Sequence, residues 1–241
     1  MKIAILGDIH ANLEALGTVL EDCKKENVTD YVCVGDVVGY GPNPHECLAV
    51  VRDELKAPTV KGNHDELCSN EGNLSGFNPH AAAAVEWTRK QLTDDDKKWL
   101  ATLPYTRIVE SFTVVHATLD TPSRWGYVFD RLAAATSMSY QTTSICFCGH
   151  THVPLAFIRD NAVRGGQYTK LRIEAGKKYF INVGSVGQPR DGNPKSAYVI
   201  YDMDENVVIL KRLDYDIAAV QKKIMEAGLP QRLADRLSIG K

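Results

Sequence analysis

The first third of the chain alternates between short, continuously apolar runs and longer runs in which apolar residues recur at helical spacing. KIAIL (residues 2–6) and YVCVG (31–35) are of the first kind, which is typical of strands buried on both faces. The segment between them is of the second kind, with apolar residues at positions 13, 16, 19 and 20. PTVKGN (58–63) predicts a third, short strand. Strands that alternate with helices in this way favour an α/β unit with parallel strands.

The next predicted helices begin at clear N-terminal signals. NPHECLAVVRDEL (43–55) and NPHAAAAVEWTRKQL (78–92) both start with Asn-Pro, an N-cap residue followed by proline at the first helical position. TDDDKKWLATL (93–103) opens with a threonine cap and acidic residues, which the positive end of the helix dipole favours. From there the sequence predicts, in order, a strand at 112–117, a loop followed by a helix within 120–140, and a strand at 144–149.

The second half of the chain has a different pattern, in which strand-like segments follow one another without helices between them. These segments are PLAFIR, QYTKLRIEA, KYFINVGS, SAYVIYDM and NVVILKRL. Turn residues separate them, so we expect a sheet with antiparallel pairing. DIAAVQKKIMEAGL (216–229) predicts a last helix, ending near a glycine and a proline. No linker or repeat divides the halves, and we expect one domain over residues 1–241 with two sheets and the helices outside.

Composition excludes several classes of protein. Apolar residues make up 44% and charged residues 24% of the 241 residues, as in ordinary globular proteins. The formal net charge of −2 gives no overall basic field for nucleic acid. The N-terminal apolar run is too short for a signal peptide, and no run reaches the length of a membrane span. We therefore expect a cytoplasmic protein whose six cysteines are reduced thiols and form no CxxC zinc motif.

Polar side chains follow five of the predicted strands directly. The residues at these strand ends are Asp8, His10, Asp36, Asn63, His64, Asp65, His116, His150 and His152. In open α/β sheets, ligands bind beyond the carboxyl ends of the strands. Burying so many carboxylates and imidazoles together without a partner would cost free energy, and a cation supplies that partner.

The spacing of these residues favours a pair of metal ions. Asp8 with His10, and His150 with His152, are i, i+2 pairs whose side chains point the same way in extended chain. Seven donor residues remain when His64 and Asp65 are left out. This is more than the roughly four to six ligands that one transition metal coordinates. Asp36 stands alone and has two oxygens, so we expect it to bridge two metals. Two divalent ions, two carboxylates and a bridging hydroxide leave a net positive charge, which suits a phosphate ester.

The chain contains five motifs in a fixed order: D-x-H, G-D, G-N-H-D, a lone strand-end histidine and G-H-x-H. Together they resemble those of the calcineurin-like metallophosphoesterase superfamily. The resemblance implies a four-layer α-β-β-α sandwich with two mixed sheets, of the α/β (α+β) class. It implies one metal held by Asp8, His10, Asp36 and His152, and a second held by Asp36, Asn63, His116 and His150. It also implies that His64 protonates the leaving oxygen or stabilises the phosphate, with Asp65 orienting His64.

One departure from the superfamily bears on the substrate. Its Ser/Thr protein phosphatases follow the second Gly-Asp with Asp-Arg-Gly, whereas this chain has GDVVGYGPNP without an arginine. This argues against a protein phosphatase. GDVVGYGPNP, NPHAAAAVEWT and NVGSVGQPRDG instead resemble segments of the small phosphoesterases and phosphodiesterases of the YfcE-like group.

Other polar and aromatic residues have two interpretations. Arg190 lies in a glycine-rich turn and either pairs with a phosphate oxygen or is a solvated loop residue. His80, at a helix start, is a second candidate for contact with substrate. Cys146 and Cys148 sit inside an apolar strand and Cys68 follows GNHD closely, and we expect all three to be packing residues. Tyr40, Trp125 and Tyr127 either stack on a base or aryl group or pack within the protein.

The main hypothesis is a metal-dependent phosphoesterase that hydrolyses a small phosphodiester or phosphomonoester by in-line attack of a metal-bridging hydroxide. A nucleotide is among the candidate substrates. We expect two divalent ions, Mn²⁺ before Fe, Ni, Co or Zn, because the donors are mixed imidazole and oxygen. The alternatives are a nuclease, which would need a basic track beside the site, and an inactive scaffold, which would have lost ligands. We expect neither a nucleic-acid nor a membrane partner.

Overall fold

The computed structural model describes residues 1–75 and 77–241, and the strands in these two ranges form two mixed sheets. In chain order the strands are β1 (Lys2–Leu6), β2 (Asp30–Cys33), β3 (Thr106–Val109), β4 (Phe112–Val115), β5 (Ile145–Cys148), β6 (Ala156–Arg159), β7 (Val163–Gly166), β8 (Lys170–Arg172), β9 (Lys178–Asn182), β10 (Ser196–Asp202) and β11 (Val207–Leu213). The first sheet has the order β2-β1-β10-β11-β8 and the second the order β3-β4-β5-β9-β6-β7. The α/β pattern of the sequence is confirmed.

Parallel pairing occurs at one edge of the first sheet and in the middle of the second. β1 pairs with β2 in parallel, with Leu6 opposite Cys33, and β5 pairs in parallel with both β4 and β9. The other pairs are antiparallel. The strands of the second half are therefore shared between the two sheets and do not form a separate sheet of their own.

The helices surround the sheets. They are α1 (Leu13–Lys25), α2 (Pro44–Ala49), α3 (Asn63–Ser69), α4 (Pro79–Gln91), α5 (Asp94–Thr102), α6 (Arg131–Ser139), α7 (Ile217–Glu226) and α8 (Gln231–Asp235). α2 continues as a wider π-helical turn at Val50–Glu54, and 3₁₀ turns lie at Pro122–Arg124 and Arg236–Ile239. Asn78 caps α4 through its side chain, and Thr93 and Asp96 form a capping box on α5, as their sequences predict.

The packing of alternate strand residues confirms the four-layer sandwich. Ile3 and Ile5 of β1 pack against Phe112 and Phe147 of the second sheet, within one core between the two sheets. Ala4 and Leu6 point the other way, into a second core that includes residues of α1 and α2. A third core joins the outer face of the second sheet to α6. Successive residues of a strand face opposite sides, so each central strand is buried twice, which explains its unbroken apolar run.

Several predicted elements have different bounds. PTVKGN forms one bridge, between Thr59 and Cys33, and is not a full strand, because Lys61 donates its backbone N–H to Pro104 outside that ladder. Asn63 consequently opens helix α3, which the sequence pattern did not predict. Only residues 170–172 of QYTKLRIEA pair as a strand. The short elements β3, β7 and α8 were also missed, since their apolar periodicity is weak.

Within the described residues, none of the helices combines the length and the apolar character needed to cross a bilayer.

Candidate metal centre

The loops after β1, β2, β4 and β5 meet at the carboxyl ends of these strands and carry most of the predicted ligands. Asp8 and His10 follow β1, Asp36 follows β2, His116 follows β4, His150 and His152 follow β5, and Asn63 opens α3. The backbone N–H of Asp8 donates to the carbonyl of Gly35, at 3.0 Å. The backbone N–H of His150 donates to the Asp8 carboxylate, at 3.0 Å to Oδ2. The two sheets are thus joined where the ligands converge.

The donor atoms form two close groups that share Asp8. One contains Asp8, His10 and His152, the other Asp8, Asp36 and His116, and within each the ligand atoms lie within 4.8 Å of one another. Oδ1 of Asp8 lies 3.2 Å from Nε2 of His152. Oδ2 of Asp36 lies 3.3 Å from Nε2 of His116 and 3.6 Å from Nε2 of His10, so Asp36 also faces both groups. All five side chains are buried.

Hydrogen bonds orient the histidines so that one ring nitrogen is left for a cation. Nδ1–H of His10 donates to the carbonyl of Val38 at 3.0 Å, and Nδ1–H of His116 to that of Val34 at 2.8 Å. His152 donates in the same way to Gln188, at 2.6 Å. A carbonyl oxygen only accepts, so each Nδ1 carries the proton and each Nε2 is directed to the centre. Metal-ligating histidines are commonly held in this way.

The facing Nε2 atoms of His10 and His152 test whether these residues fit a metal. They are 3.1 Å apart, and because both rings carry their proton on Nδ1, two lone pairs point at each other. A cation bound by both nitrogens removes this repulsion. Imidazole nitrogens with carboxylate and amide oxygens are a donor set that suits first-row divalent ions. The residues therefore fit a metal ion at this position.

The titration behaviour of the cluster agrees with this interpretation. Burial lowers the pKa of His10 and His152 well below 6.5, and that of His150 to about 3, so these rings are neutral near pH 7. Burial would also lower the pKa of His116, but the carboxylates of Asp36 and Asp8 outweigh it and raise the pKa to about 9. A proton on His116 thus supplies positive charge that the buried carboxylates require. Metal binding would replace that proton.

Asn63 and His150 lie at the side of His116. Oδ1 of Asn63 is 3.2 Å from Nε2 of His116, and the ring centroids of His116 and His150 are 5.1 Å apart. Nε2 of His150 is buried and, among the residues that the structure describes, has no hydrogen-bond partner. Buried polar atoms are normally paired, so this nitrogen indicates a ligand position. Tyr127 covers the other face of the ring, with centroids 4.3 Å apart.

His64 lies beside the two groups, and its ring contacts Tyr40 and His10 at centroid distances of 4.3 and 5.0 Å. Its backbone N–H donates to Oδ1 of Asp36 at 2.8 Å. Burial lowers the pKa of His64 to about 4, with Arg190 acting in the same direction, so the ring is neutral. Nδ1 is buried and, within the described residues, unpaired.

The carboxylate of Asp65 has a different position from the one implied by the resemblance. It does not reach the His64 ring, because both its oxygens accept backbone N–H groups. Asp36, Val37, Val38 and Gly62 are the donors, at 2.7–3.3 Å. Asp65 therefore holds the loop that carries Asp36, and it influences His64 only through the backbone.

Glycines allow the backbone to approach the carboxylates closely at two positions. A Cβ atom on Gly62 would overlap Oδ1 of Asp36, and one on Gly149 would overlap Oδ2 of Asp8. These are the glycines of the G-N-H-D and G-H-x-H motifs. Their lack of a side chain is therefore a requirement of the site.

A cavity of about 270 Å³ adjoins the centre and contains both predicted substrate-binding residues, Arg190 and His80. Tyr40 and Tyr127 line it too, which places one tyrosine beside His64 and the other on His150. Sequence reasoning missed two further arginines in its wall, Arg232 and Arg236. Their only signal is an i, i+4 spacing near the C-terminal end, which has no specific chemical meaning by itself.

The cysteines are packing residues, as predicted. All six are buried free thiols. Cys146 and Cys148 belong to the core beneath α6, and Cys68 belongs to the core under α1 and α2. Burial raises the pKa of the Cys68 and Cys148 thiols well above 9, so these residues are neutral and unreactive.

Comparison with known proteins gives a family match over most of the chain. The profile of the calcineurin-like phosphoesterase superfamily domain matches residues 1–206. An uncharacterized protein of Methanocaldococcus jannaschii is 37% identical over 248 residues, which cover 99% of this chain and 98% of the other.

Two solved structures resemble the whole chain. A metallophosphoesterase from Sphaerobacter thermophilus is 41% identical with a TM-score of 0.89, covering 100% of this chain and 99% of that one. The hypothetical protein PH1004 from Pyrococcus horikoshii OT3 is 18% identical with a TM-score of 0.81, covering 100% of this chain and 98% of that one. The second likeness concerns the fold alone.

Proposed function

Because the chain belongs to the calcineurin-like phosphoesterase superfamily, we propose that it hydrolyses a small phosphomonoester or phosphodiester at a centre of two divalent ions. Membership makes the protein a metallophosphoesterase in class and confirms the resemblance of its motifs to this superfamily. The proposal adds the number of ions and the kind of substrate. The finer resemblance to the YfcE-like group stays a prediction.

In this proposal Asp8, His10 and His152, which form one close group, would hold the first ion. Asp36 and His116 of the other group, with the neighbouring Asn63 and His150, would hold the second. Asp36 and Asp8 both face the two groups, so each carboxylate is a candidate bridge. We place Mn²⁺ first and retain Fe, Co, Ni and Zn, because the same donors suit them all.

Two bound divalent ions would supply an activated water molecule and Lewis acidity for an in-line displacement at phosphorus. The bond from the water oxygen to phosphorus forms as the bond from phosphorus to the leaving oxygen breaks. The residues of this chain fix the donors, exclude bulk water and supply a proton to the leaving group. The attacking water releases one proton and the leaving oxygen takes up one, so the number of protons is conserved.

His64 is the residue we assign to the leaving oxygen. Its ring lies beside His10 and Tyr40 at the edge of the donor groups, and burial lowers its pKa to about 4, so the ring is neutral near pH 7. A neutral imidazole donates an N–H hydrogen bond to a phosphate oxygen. An anionic phosphate beside the ring favours its protonated form, so the pKa rises on binding and the ring can then transfer a proton.

The observation that carries this proposal is the pair of buried Nε2 atoms of His10 and His152, which face each other at 3.1 Å next to Asp8. A purely structural cluster would use these nitrogens for hydrogen bonds to protein acceptors. The cavity beside them, of about 270 Å³, has room for a small ester.

The test is hydrolysis of p-nitrophenyl phosphate and bis-p-nitrophenyl phosphate with added Mn²⁺. We expect turnover of at least one of them, and its loss with a chelator or with Asp36→Ala. Activity that survives both treatments would refute the metal mechanism. The ratio of the two rates decides between a monoesterase and a diesterase.

A further inference from the structure

The cavity beside the metal centre contains three arginines, Arg190, Arg232 and Arg236. The guanidinium groups of Arg190 and Arg236 lie over the ring of Tyr40, at 5.6 and 6.0 Å from its centroid. That ring also contacts His64 and His10. Tyr40 thus contacts two of the arginines as well as His64, the proposed proton donor.

These positive charges line one cavity without an acidic side chain beside them in the part of the chain that the structure describes. Within residues 1–75 and 77–241, none of the three guanidinium groups pairs with an Asp or Glu side chain, and no acidic residue lines the cavity. Nε of Arg236 donates a hydrogen bond to a backbone oxygen of Lys241. Some arginines outside the cavity are ion-paired, as Arg52 is with Asp53 and Asp96 and Arg212 is with Asp191. Burial and the charges of Arg190 and Arg232 lower the pKa of Arg236 to about 10, which shows the cost of bringing these groups together.

The helices around the cavity add to its positive potential. The N-terminus of α4, with Asn78 and His80, opens onto it, and helix N-termini attract anions. Arg232 and Arg236 are four residues apart on α8 and the turn that follows it, a spacing at which like charges repel. A bound anion would offset both effects.

The position of these two arginines sets them apart from the metal centre. They lie after residue 206, where the superfamily match ends, so that match assigns them no role. Arg190, in contrast, is coupled to a ligand: its Nη2 donates at 2.7 Å to Oε1 of Gln188, whose carbonyl accepts from His152. One arginine of the cavity is therefore connected to a proposed ligand through Gln188, and the other two have no such connection among the residues that the structure describes.

We propose that Arg232 and Arg236, with Arg190, bind a second phosphate group of the substrate while the scissile phosphate lies at the metal centre. The substrate class is then small molecules with two phosphate groups, such as a sugar bisphosphate or a nucleoside diphosphate. This proposal rests on the proposed function for the position of the first phosphate. Planar guanidinium groups pair with phosphate oxygens through two parallel hydrogen bonds, so three of them can hold one phosphate firmly.

The experiment compares two matched pairs of probes, fructose 6-phosphate with fructose 1,6-bisphosphate and AMP with ADP. Their inhibition constants are measured against p-nitrophenyl phosphate hydrolysis with Mn²⁺. We expect the doubly phosphorylated member of at least one pair to bind about tenfold more tightly, the effect of one strong charge-assisted contact. In the double variant Arg232→Gln/Arg236→Gln, the ratio of the two inhibition constants should fall to near one.

Two further variants exclude trivial causes. Arg107→Gln removes the same charge from the exposed edge strand β3 and should keep the preference. The double variant Arg232→Lys/Arg236→Lys keeps the positive charges but lacks the planar guanidinium groups. It should retain part of the preference for the doubly phosphorylated probe. Thermal melting of each variant identifies any that does not fold, and the lysine variant then serves in place of the glutamine variant.

No preference in the wild type, or a preference that survives in Arg232→Gln/Arg236→Gln, would overturn the second-phosphate site. If the wild type hydrolyses neither p-nitrophenyl ester, the proposed function fails, and binding of the same four probes is measured by calorimetry. An arginine-dependent preference in calorimetry would then support the anion site independently of hydrolysis.

Discussion

Five of the seven proposed ligands hold their backbone in the left-handed region. Their φ angles lie between 48° and 68°, at Asp8, His10, Asp36, His150 and His152. A non-glycine residue there costs roughly 1–2 kcal/mol. Such strain concentrates at functional sites, where the surrounding structure enforces it. The left-handed backbone at these five positions therefore supports their proposed ligand role.

At the scale of single residues, the sharpest prediction concerns His64. We expect His64→Asn to lower kcat by about 10²–10⁴, because the leaving oxygen loses its proton donor. Metal content, measured by elemental analysis, should stay at the wild-type level, because His64 contributes no atom to the two close donor groups.

His45→Gln is the matched control for this variant, since His45 lies at the start of α2 and bonds Asp96. It should retain wild-type kcat. A His64→Asn enzyme with full kcat would show that another group protonates the leaving oxygen.

At the scale of elements, Asp96 joins two helices that support the site. Its carboxylate caps α5 by accepting the backbone N–H of Thr93 at 3.1 Å, and it accepts further hydrogen bonds from Nδ1–H of His45 at 2.8 Å and from Arg52 at 2.9 Å. His45 lies on α2 and Arg52 on the π-helical turn that continues it. Burial alone would raise the pKa of Asp96, but the bonds from His45, Thr93 and Arg52 outweigh it and lower the pKa below 3.8.

We expect Asp96→Asn to reduce the free energy of unfolding by about 1–3 kcal/mol at pH 7, since the amide carries no charge to pair with Arg52 and has one acceptor oxygen in place of two. The folded-state pKa of Asp96 is depressed, so its contribution is present above about pH 4 and is lost as pH falls through the folded pKa. The difference between wild type and variant should therefore shrink on acidification. Urea unfolding at several pH values between 3 and 7 measures it.

Asp95→Asn provides the matched control, because Asp95 is the preceding residue in the same helical turn. The Asp95 side chain is 87% exposed, whereas that of Asp96 is fully buried. We expect the control to change stability by less than about 0.5 kcal/mol. Equal effects of the two substitutions would mean that general helix-terminal charge, and not the hydrogen bonds, stabilises this region.

At the scale of the whole molecule, the centre joins the two sheets. Its proposed ligands span residues 8 to 152 and come from strand ends in both sheets. An unfolded chain cannot present them together, so metal ions bind the folded state in preference. Ligand binding then stabilises the fold by mass action.

Adding Mn²⁺ to metal-free protein should accordingly raise the melting temperature. A free concentration of 100 times Kd adds about 2.7 kcal/mol, which corresponds to roughly 5–10 °C for a chain of this size. Differential scanning calorimetry measures the shift. Asp36→Asn should reduce it strongly, and a melting temperature that responds to none of Mn²⁺, Zn²⁺, Co²⁺, Ni²⁺ or Fe²⁺ would contradict the metal centre.

The sequence determined the strand ends and the identity of the donors. Each buried strand is a continuous apolar run, and the first polar residues after it, such as Asp8 and His116, must lie where the chain leaves the sheet. The burial of alternate residues on both faces follows from the same pattern, because the pleat has a period of two. The motifs therefore predicted the family and the proposed ligands.

Only the tertiary structure decided the contacts between segments that are remote in sequence. It placed the Asp65 carboxylate on the backbone of residues 36–38, and it brought Arg236 over Tyr40 and Arg232 into the wall of the same cavity. No local pattern encodes these contacts, since a carboxylate or guanidinium group has the same propensities wherever its partner lies. Which strands pair, and which helix end faces the cavity, depends on the packing of the whole chain, and those choices determine what surrounds the substrate.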